Sequence, residues 1–191
     1  MKKLTPTQQG VVHGATKAIV VSTLFLVSSV NVIPGNIFSP SFLLHAIDKY
    51  SSSPIKFSLR VDAVFVLPLL LMSIIRLANL RFASPQDIDG SGLTVGTAKA
   101  KELQAVLQNT LEQTVLKVST HVVYAAVMPP SCLGAIFASG ILFTVGRIFF
   151  IRGYRFGAPG RALGFGLTFY PTFLMLVATV LRIIYEVLVG M

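Results

Sequence analysis

Two polar side chains, Asn109 and Glu112, lie three residues apart in a segment that otherwise has the pattern of a helix. A helix places positions three apart on one face, so the carboxamide and the carboxylate are expected to point into the same space. The surrounding chain is apolar, and a carboxylate at membrane depth is rare, costly and usually directed toward a bundle interior or a wet cavity. The pair therefore predicts a polar binding site within a helical bundle.

Charged residues on neighbouring helices are expected to join this pair. Arg76 and Arg147 each lie about four residues, or about 6 Å, before the end of an apolar segment. Tyr154 follows Arg147 by seven residues, which is two helical turns, and shares its face if the helix continues. Paired arginines suit carboxylates and phosphates, whereas Glu112 would accept from a ligand ammonium or from an arginine. Two interpretations stay open: a net-cationic cavity for a zwitterionic ligand with excess negative charge, and a structural ion-pair network.

A second polar stripe follows on the same segment, where Gln113, Lys117 and His121 are spaced four apart. This stripe drifts around the helix, away from Asn109 and toward the opposite membrane face. We therefore expect Lys117 and His121 to leave the cavity, and to contact other subunits or to snorkel to the headgroups.

The composition predicts an all-α integral membrane protein. The chain has 191 residues, of which 53% are hydrophobic and 12% charged, whereas soluble domains average about 25% charged. The net charge of +9 is expected in cytoplasmic loops, and no nucleic-acid partner is predicted. Cys132 is the one cysteine and the three histidines are far apart in sequence, so no metal is predicted.

Five apolar segments are candidate membrane crossings, at about 6–33, 59–80, 97–127, 132–151 and 162–188. Thr5, Pro6 and Gln8 form a helix start signal before the first segment. Two lysines also precede it, so a cleaved signal peptide is the alternative. Pro68 predicts a kink in the second segment.

The distribution of lysine and arginine predicts the orientation of these segments. The amino terminus and the loops after the second and fourth segments are basic, which places them on the cytoplasmic side. This alternation needs five crossings and favours an uncleaved first helix. The expected location is a multi-pass position in a membrane, either a bacterial inner membrane or the endoplasmic reticulum of a eukaryote, with the polar site open to the cytoplasm.

Three blocks of the sequence resemble the membrane-associated proteins in eicosanoid and glutathione metabolism, the MAPEG family. Residues 80–87 resemble the basic-aromatic stretch that ends in Asn-Pro-Glu-Asp after the family's first helix. Residues 108–112 resemble the Asn-x-x-Glu signature of its second helix. Residues 146–154, followed by 161–163, resemble its third-helix Arg-x₆-Tyr block and the basic residue that opens its fourth helix. Together the blocks cover residues 57–190.

The resemblance implies a four-helix MAPEG-like membrane domain over residues 57–191, preceded by an added transmembrane helix and loop over residues 1–56. It also implies a homotrimer in which sites between neighbouring subunits bind glutathione as a co-substrate. Arg161 and Tyr154 would be catalytic, because a cation near the thiol favours the thiolate. Asp87 matches a loop acid that orients such an arginine. Carried over residue by residue, the glutathione ligands would be Arg76, Asn109, Glu112, Arg147 and Tyr154.

Two positions depart from the family pattern. Catalytic members usually carry a basic residue just before the asparagine and another one turn earlier, where this chain has Gln108 and Ala105.

The resemblance implies a glutathione transferase or peroxidase that acts on lipophilic small molecules dissolved in membrane lipid. The alternative is a non-catalytic membrane binding or scaffold protein on the same fold. A small channel or transporter subunit is a third hypothesis, which the lack of a visible inverted repeat disfavours.

Overall fold

The protein is an all-α bundle, described by a computed structural model over residues 4–30, 52–90 and 95–190. Single-turn 3₁₀ helices, Pro130–Cys132 and Tyr154–Phe156, precede the last two α-helices. The α-helices are α1 (Pro6–Ser29), α2 (Pro54–Phe65), α3 (Leu67–Ala83), α4 (Ala98–Val127), α5 (Gly134–Gly153) and α6 (Gly157–Val189). Part of the predicted loop between the first two segments lies outside these residues.

The helix starts follow the capping signals of the sequence. The Gln8 backbone N–H donates to Thr5 Oγ1 at 3.2 Å, and the Thr5 N–H donates to Gln8 Oε1 at 2.8 Å. This reciprocal pair is a capping box, and it confirms the predicted start of α1. Thr97 caps α4 without a reciprocal bond: its hydroxyl accepts from the Ala100 N–H at 3.1 Å.

The kink predicted at Pro68 is confirmed as a break between α2 and α3 at Val66. Pro68 has no N–H to continue the helical ladder. The Leu69 N–H donates to Val66 O at 3.2 Å rather than to the Phe65 carbonyl. That carbonyl accepts instead from the Thr144 hydroxyl at 3.0 Å. A hydrogen bond therefore connects the break between α2 and α3 to α5.

Small residues allow the helices to pack closely. A Cβ on Gly140 of α5 would lie 2.9 Å from the Val61 side chain, so α2 and α5 are in tight contact there. α1 runs beside α6 in the same direction, and a Cβ on Gly14 would lie 2.8 Å from the Ala162 Cβ. One turn further, Ala18 of α1 faces Gly166. The added helix is thus packed on the bundle by a seam of small residues.

The outer surface is apolar while several interior positions are polar. Large side chains such as Leu24, Val64 and Leu188 are more than 60% exposed, as suits contact with acyl chains. Three described stretches are long and apolar enough to cross a membrane: Pro6–Ser29, Pro54–Ala83, and Pro130–Val189, which contains α5 and α6. α4 is not among them. The fold is that of an all-α membrane protein.

Candidate functional site

A cavity of about 570 Å³ opens between α1, α4, α5 and α6, close to the start of α6. Four of the residues predicted from sequence line it: Asn109 and Glu112 from α4, Tyr154 from the 3₁₀ turn, and Arg161 from α6. Gln108 is a further polar lining residue. The larger apolar part of the wall is formed by Val11, Ala15, Phe150, Phe165 and Tyr170.

Arg147 lies behind the cavity and does not line it. Its side chain is fully buried, with Nη1 donating to Asn109 Oδ1 and Nη2 to Thr110 Oγ1, each at 2.9 Å. Its guanidinium carbon also lies 4.1 Å from the centroid of the Phe150 ring. Because Arg147 occupies the carboxamide oxygen of Asn109, the amide nitrogen is left to donate toward the cavity. Within this chain Arg147 holds Asn109 in position.

Arg161 and Tyr154 form the cationic-aromatic end of the cavity. The guanidinium carbon of Arg161 lies 4.6 Å from the centroid of the Tyr154 ring, a cation–π contact. Close packing of the α5–α6 hairpin fixes this pair, because a Cβ on Gly153 would collide with the Gly160 carbonyl. Gly157 opens α6 with φ +73°, a conformation that favours glycine.

Glu112 is exposed at the cavity wall and accepts from Gln108 Nε2 at 2.9 Å. Arg147 likewise bonds to the neutral Asn109 and Thr110. Among residues 4–30, 52–90 and 95–190, neither charged residue is in an ion pair. The structural ion-pair network considered from sequence is therefore absent from this part of the molecule.

Arg76 is the predicted residue that the structure does not bring to this cavity. It is exposed on α3 and lines a separate groove between α3, α4 and α5. Sequence reasoning also missed Val11 and Ala15, which α1 contributes to the wall. No signal in the sequence marks these two, since they are ordinary small and aliphatic residues of an apolar helix.

A second polar cluster is buried deeper in the bundle, where α2, α4 and α5 meet. His121 Nδ1 lies 2.7 Å from Asp62 Oδ1, and Lys117 Nζ donates to Ser139 Oγ at 2.6 Å. Lys117 and His121 lie away from the cavity, as expected. The prediction that they contact other subunits or snorkel is wrong, because both are 0% exposed within this chain. Asp62 supplies the acidic partner from a helix distant in sequence.

Asp87 has a structural role at the start of α4. It accepts from the Thr97 backbone N–H at 2.7 Å, the Thr97 hydroxyl at 2.9 Å and the Ser84 hydroxyl at 2.7 Å. These hydrogen bonds, with the Thr97 N–H foremost, hold the pKa of Asp87 below its ordinary value. The carboxylate thus fixes the α3–α4 turn rather than orienting Arg161 of the same chain.

The fold and the cavity define a class: a helical membrane protein with a mixed polar and aromatic binding cavity near one end of its bundle. Within the described ranges, no three His, Cys, Asp or Glu side chains lie close enough together to hold a metal ion. The family model described as "MAPEG family" matches residues 63–181. The chain belongs to the MAPEG family, with α1 preceding the matched region. Neither a curated protein nor a solved structure matches the chain.

Proposed function

We propose that this protein binds glutathione in the cavity beside Arg161 and transfers its thiolate to lipophilic electrophiles. The observation that carries the proposal is the meeting of Asn109, Glu112, Tyr154 and Arg161 around one cavity of about 570 Å³. This volume lies in the range of small-molecule sites. Family membership supports the same chemistry, because glutathione use is a general property of MAPEG proteins.

The side chains of the cavity complement the groups of the tripeptide. Glutathione carries an ammonium, two carboxylates and a thiol. Glu112 would accept from the ammonium, and the amide nitrogen of Asn109 would donate to a carboxylate. Arg161 would stand beside the sulfur, where its charge favours the thiolate over the thiol. The Tyr154 ring would hold the Arg161 guanidinium through the cation–π contact, and the Tyr154 hydroxyl would hydrogen-bond to the ligand.

A single chain offers too few cations for this ligand. The cavity lining holds one cation, Arg161, and one anion, Glu112, while Ala105 and Gln108 stand where catalytic members usually carry basic residues. We propose a homotrimer in which Arg76 of a neighbouring subunit completes the site. Arg76 is exposed, which leaves it able to reach another copy. This arrangement supplies the second cation that two carboxylates require.

The apolar half of the cavity would take the acceptor. Phe150, Phe165, Val11 and Ala15 face the polar residues across the same space. An electrophile dissolved in the bilayer would enter this half and meet the thiolate from the polar half. The basic loops favour a cytoplasmic position for the polar end, where glutathione would be supplied from water.

The test measures binding and chemistry separately on detergent-purified protein. Wild type should bind glutathione at millimolar concentration or below and should conjugate a generic aromatic halide. In Arg161→Gln the loss of one charged hydrogen bond costs about 1.5–3 kcal/mol, so kcat/KM should fall about ten- to hundredfold. The ultraviolet absorbance of the bound thiolate should appear only at higher pH in that variant.

Lys101→Gln is the matched control, since Lys101 is an exposed cation that lines neither the cavity nor the α3–α5 groove. It should leave both readouts unchanged. Absence of glutathione binding at millimolar thiol would overturn the proposal.

A non-catalytic binding or scaffold protein is the second candidate function. It is favoured by one observation, the neutral residues Ala105 and Gln108 in the cavity wall. This candidate predicts no conjugation, together with lipid or partner binding that survives Arg147→Ala. Loss of that binding in the Arg147→Ala protein would count against it.

A further inference from the structure

The groove that contains Arg76 results from the break between α2 and α3. Before the break, α2 packs tightly on α5 at Gly140. Beyond Val66, α3 diverges from α5, and a groove of about 870 Å³ opens between them with Leu103 and Val106 of α4 on its floor. The Thr144 hydroxyl holds the break in place through the Phe65 carbonyl. The groove is therefore a built feature of the bundle.

The charge of this groove is strongly positive. Four cations and one anion line it, which gives a net charge of +3. The anion, Glu102, is already paired with Lys99 at 3.0 Å. In the part of the chain that the structure describes, no carboxylate lies within ion-pair distance of Arg76, Arg152 or Arg155. Arg76 is the residue proposed above to reach a neighbouring subunit, so Arg152 and Arg155 are the guanidinium groups left to bind a further anion.

The remaining wall of the groove is apolar and open to the membrane. Met72 on α3 is 58% exposed, and Ile148 and Phe149 on α5 are 40% and 48% exposed. Arg152 lies in the last turn of α5 and Arg155 in the 3₁₀ turn that follows, both beyond these side chains. A ligand that fills the groove therefore needs an anionic head and an apolar tail.

We propose that the groove binds an anionic glycerophospholipid, with its phosphate between Arg152 and Arg155 and an acyl chain along Met72 and Ile148. Arginine binds phosphate oxygens through paired, charge-assisted hydrogen bonds. Basic pockets between transmembrane helices hold anionic headgroups in this way. The acyl chain covers the exposed apolar wall of the groove at membrane depth.

At Arg152 and Arg155 a carboxylate from a second copy of the chain is a poorer ligand than a lipid phosphate, because the chain has few free carboxylates to offer. The described ranges contain six acidic residues. Five of them have hydrogen-bond partners within their own chain, and the sixth is Asp89. The five are Asp62, Asp87, Glu102, Glu112 and Glu186. Charge complementarity therefore favours a lipid phosphate over a protein carboxylate.

The experiment compares lipid retention between two double variants of the full chain. Purified protein is delipidated, exposed to phosphatidylglycerol or phosphatidylcholine in detergent, and analysed by native mass spectrometry. Wild type should retain one phosphatidylglycerol per chain and should bind phosphatidylcholine at least tenfold more weakly. Arg152→Gln with Arg155→Gln should lose at least tenfold in phosphatidylglycerol affinity, which corresponds to about 1.4 kcal/mol. Lys17→Gln with Lys101→Gln removes the same charge from exposed sites outside the groove and should bind like wild type.

Several results would overturn the proposal. These are equal retention of the two lipids, an unchanged affinity in the arginine double variant, or an equal loss in the lysine double variant. A further arm adds glycerol phosphate: full competition at concentrations similar to the lipid would assign the site to a soluble anion instead. Failure of wild type to retain lipid would leave the groove to a second copy. Far-ultraviolet circular dichroism checks the fold of each variant. Glutathione binding is measured on the same samples and should be unchanged in both double variants, because neither changes Arg76 or a residue of the cavity.

Discussion

Replacing Asp62 with asparagine should destabilise the bundle by about 3–5 kcal/mol, because it removes the buried carboxylate from a cluster that contains a buried cation. Asp62 is 2% exposed and its charge acts on Lys117, which is fully buried and donates to Ser139. An asparagine side chain keeps a hydrogen bond to His121 but supplies no counter-charge. The lysine ammonium would then be alone in a medium where an unpaired charge is costly.

Lys117→Met should cost less, about 1–3 kcal/mol, because it removes a hydrogen bond to Ser139 without leaving an uncompensated cation. The Asp62 carboxylate keeps its 2.7 Å contact with His121 in that variant. The double variant should be about as stable as Lys117→Met alone. The two single losses would therefore not add, and the coupling energy should be about as large as the Asp62→Asn loss.

The assay is unfolding by sodium dodecyl sulfate in mixed micelles, followed by far-ultraviolet circular dichroism at one fixed protein concentration. Asp89→Asn is the control, because Asp89 is an exposed acid in the α3–α4 turn and should shift the free energy of unfolding by no more than about 0.5 kcal/mol. The reasoning is refuted if Asp62→Asn costs less than about 1 kcal/mol, or if the two substitutions add.

Three other substitutions test separate features. Gly14→Leu should lift α1 from α6, because even a Cβ would lie 2.8 Å from that of Ala162; faster proteolysis between α1 and α2 would reveal it, and unchanged digestion would contradict it. Asp87→Asn should lower thermal stability at neutral pH, because the depressed pKa of Asp87 gives stability that is present above about pH 4 and lost as the pH falls below it. A melting temperature that falls equally with acid in wild type and variant would argue against this role. Ala15→Phe should fill the apolar end of the cavity, so conjugation of bulky acceptors should fall while glutathione binding persists; an equal loss for small and large acceptors would disprove it.

The helices were predictable because their signals are local. The Thr5 cap and the break near Pro68 each depend on a few neighbouring residues, and each lies close to its predicted position. The start of α4 also lies close to the expected residue 97. The fold class followed from composition and from the family resemblance. The ends of α5 and α6 differ by a few residues from those expected, since glycines at 157 and 160 do not interrupt the helix once the hairpin is packed.

The site was only partly predictable because its contacts cross between helices. Spacing along α4 placed Asn109 and Glu112 on one face, but it gave no information on which side chains face them from other elements. Asp62 pairs with His121 across 59 positions of sequence, so no stripe on one helix could show that Lys117 and His121 are buried. Arg76 points to a different groove because α3 diverges after the break, which is a property of the tertiary packing.

The polar interior of α4 has a consequence for how the protein is made. Lys117 and His121 lie in the middle and far half of α4, which is not among the described stretches that are long and apolar enough to cross a membrane. Their partners sit on α2, which is synthesised earlier, and on α5, which is synthesised later. We therefore expect α4 to stay at the translocon, or beside α2, until α5 emerges and Ser139 can accept from the ammonium. These helices are expected to insert into the membrane together, so that each buries the polar side chains of its neighbour.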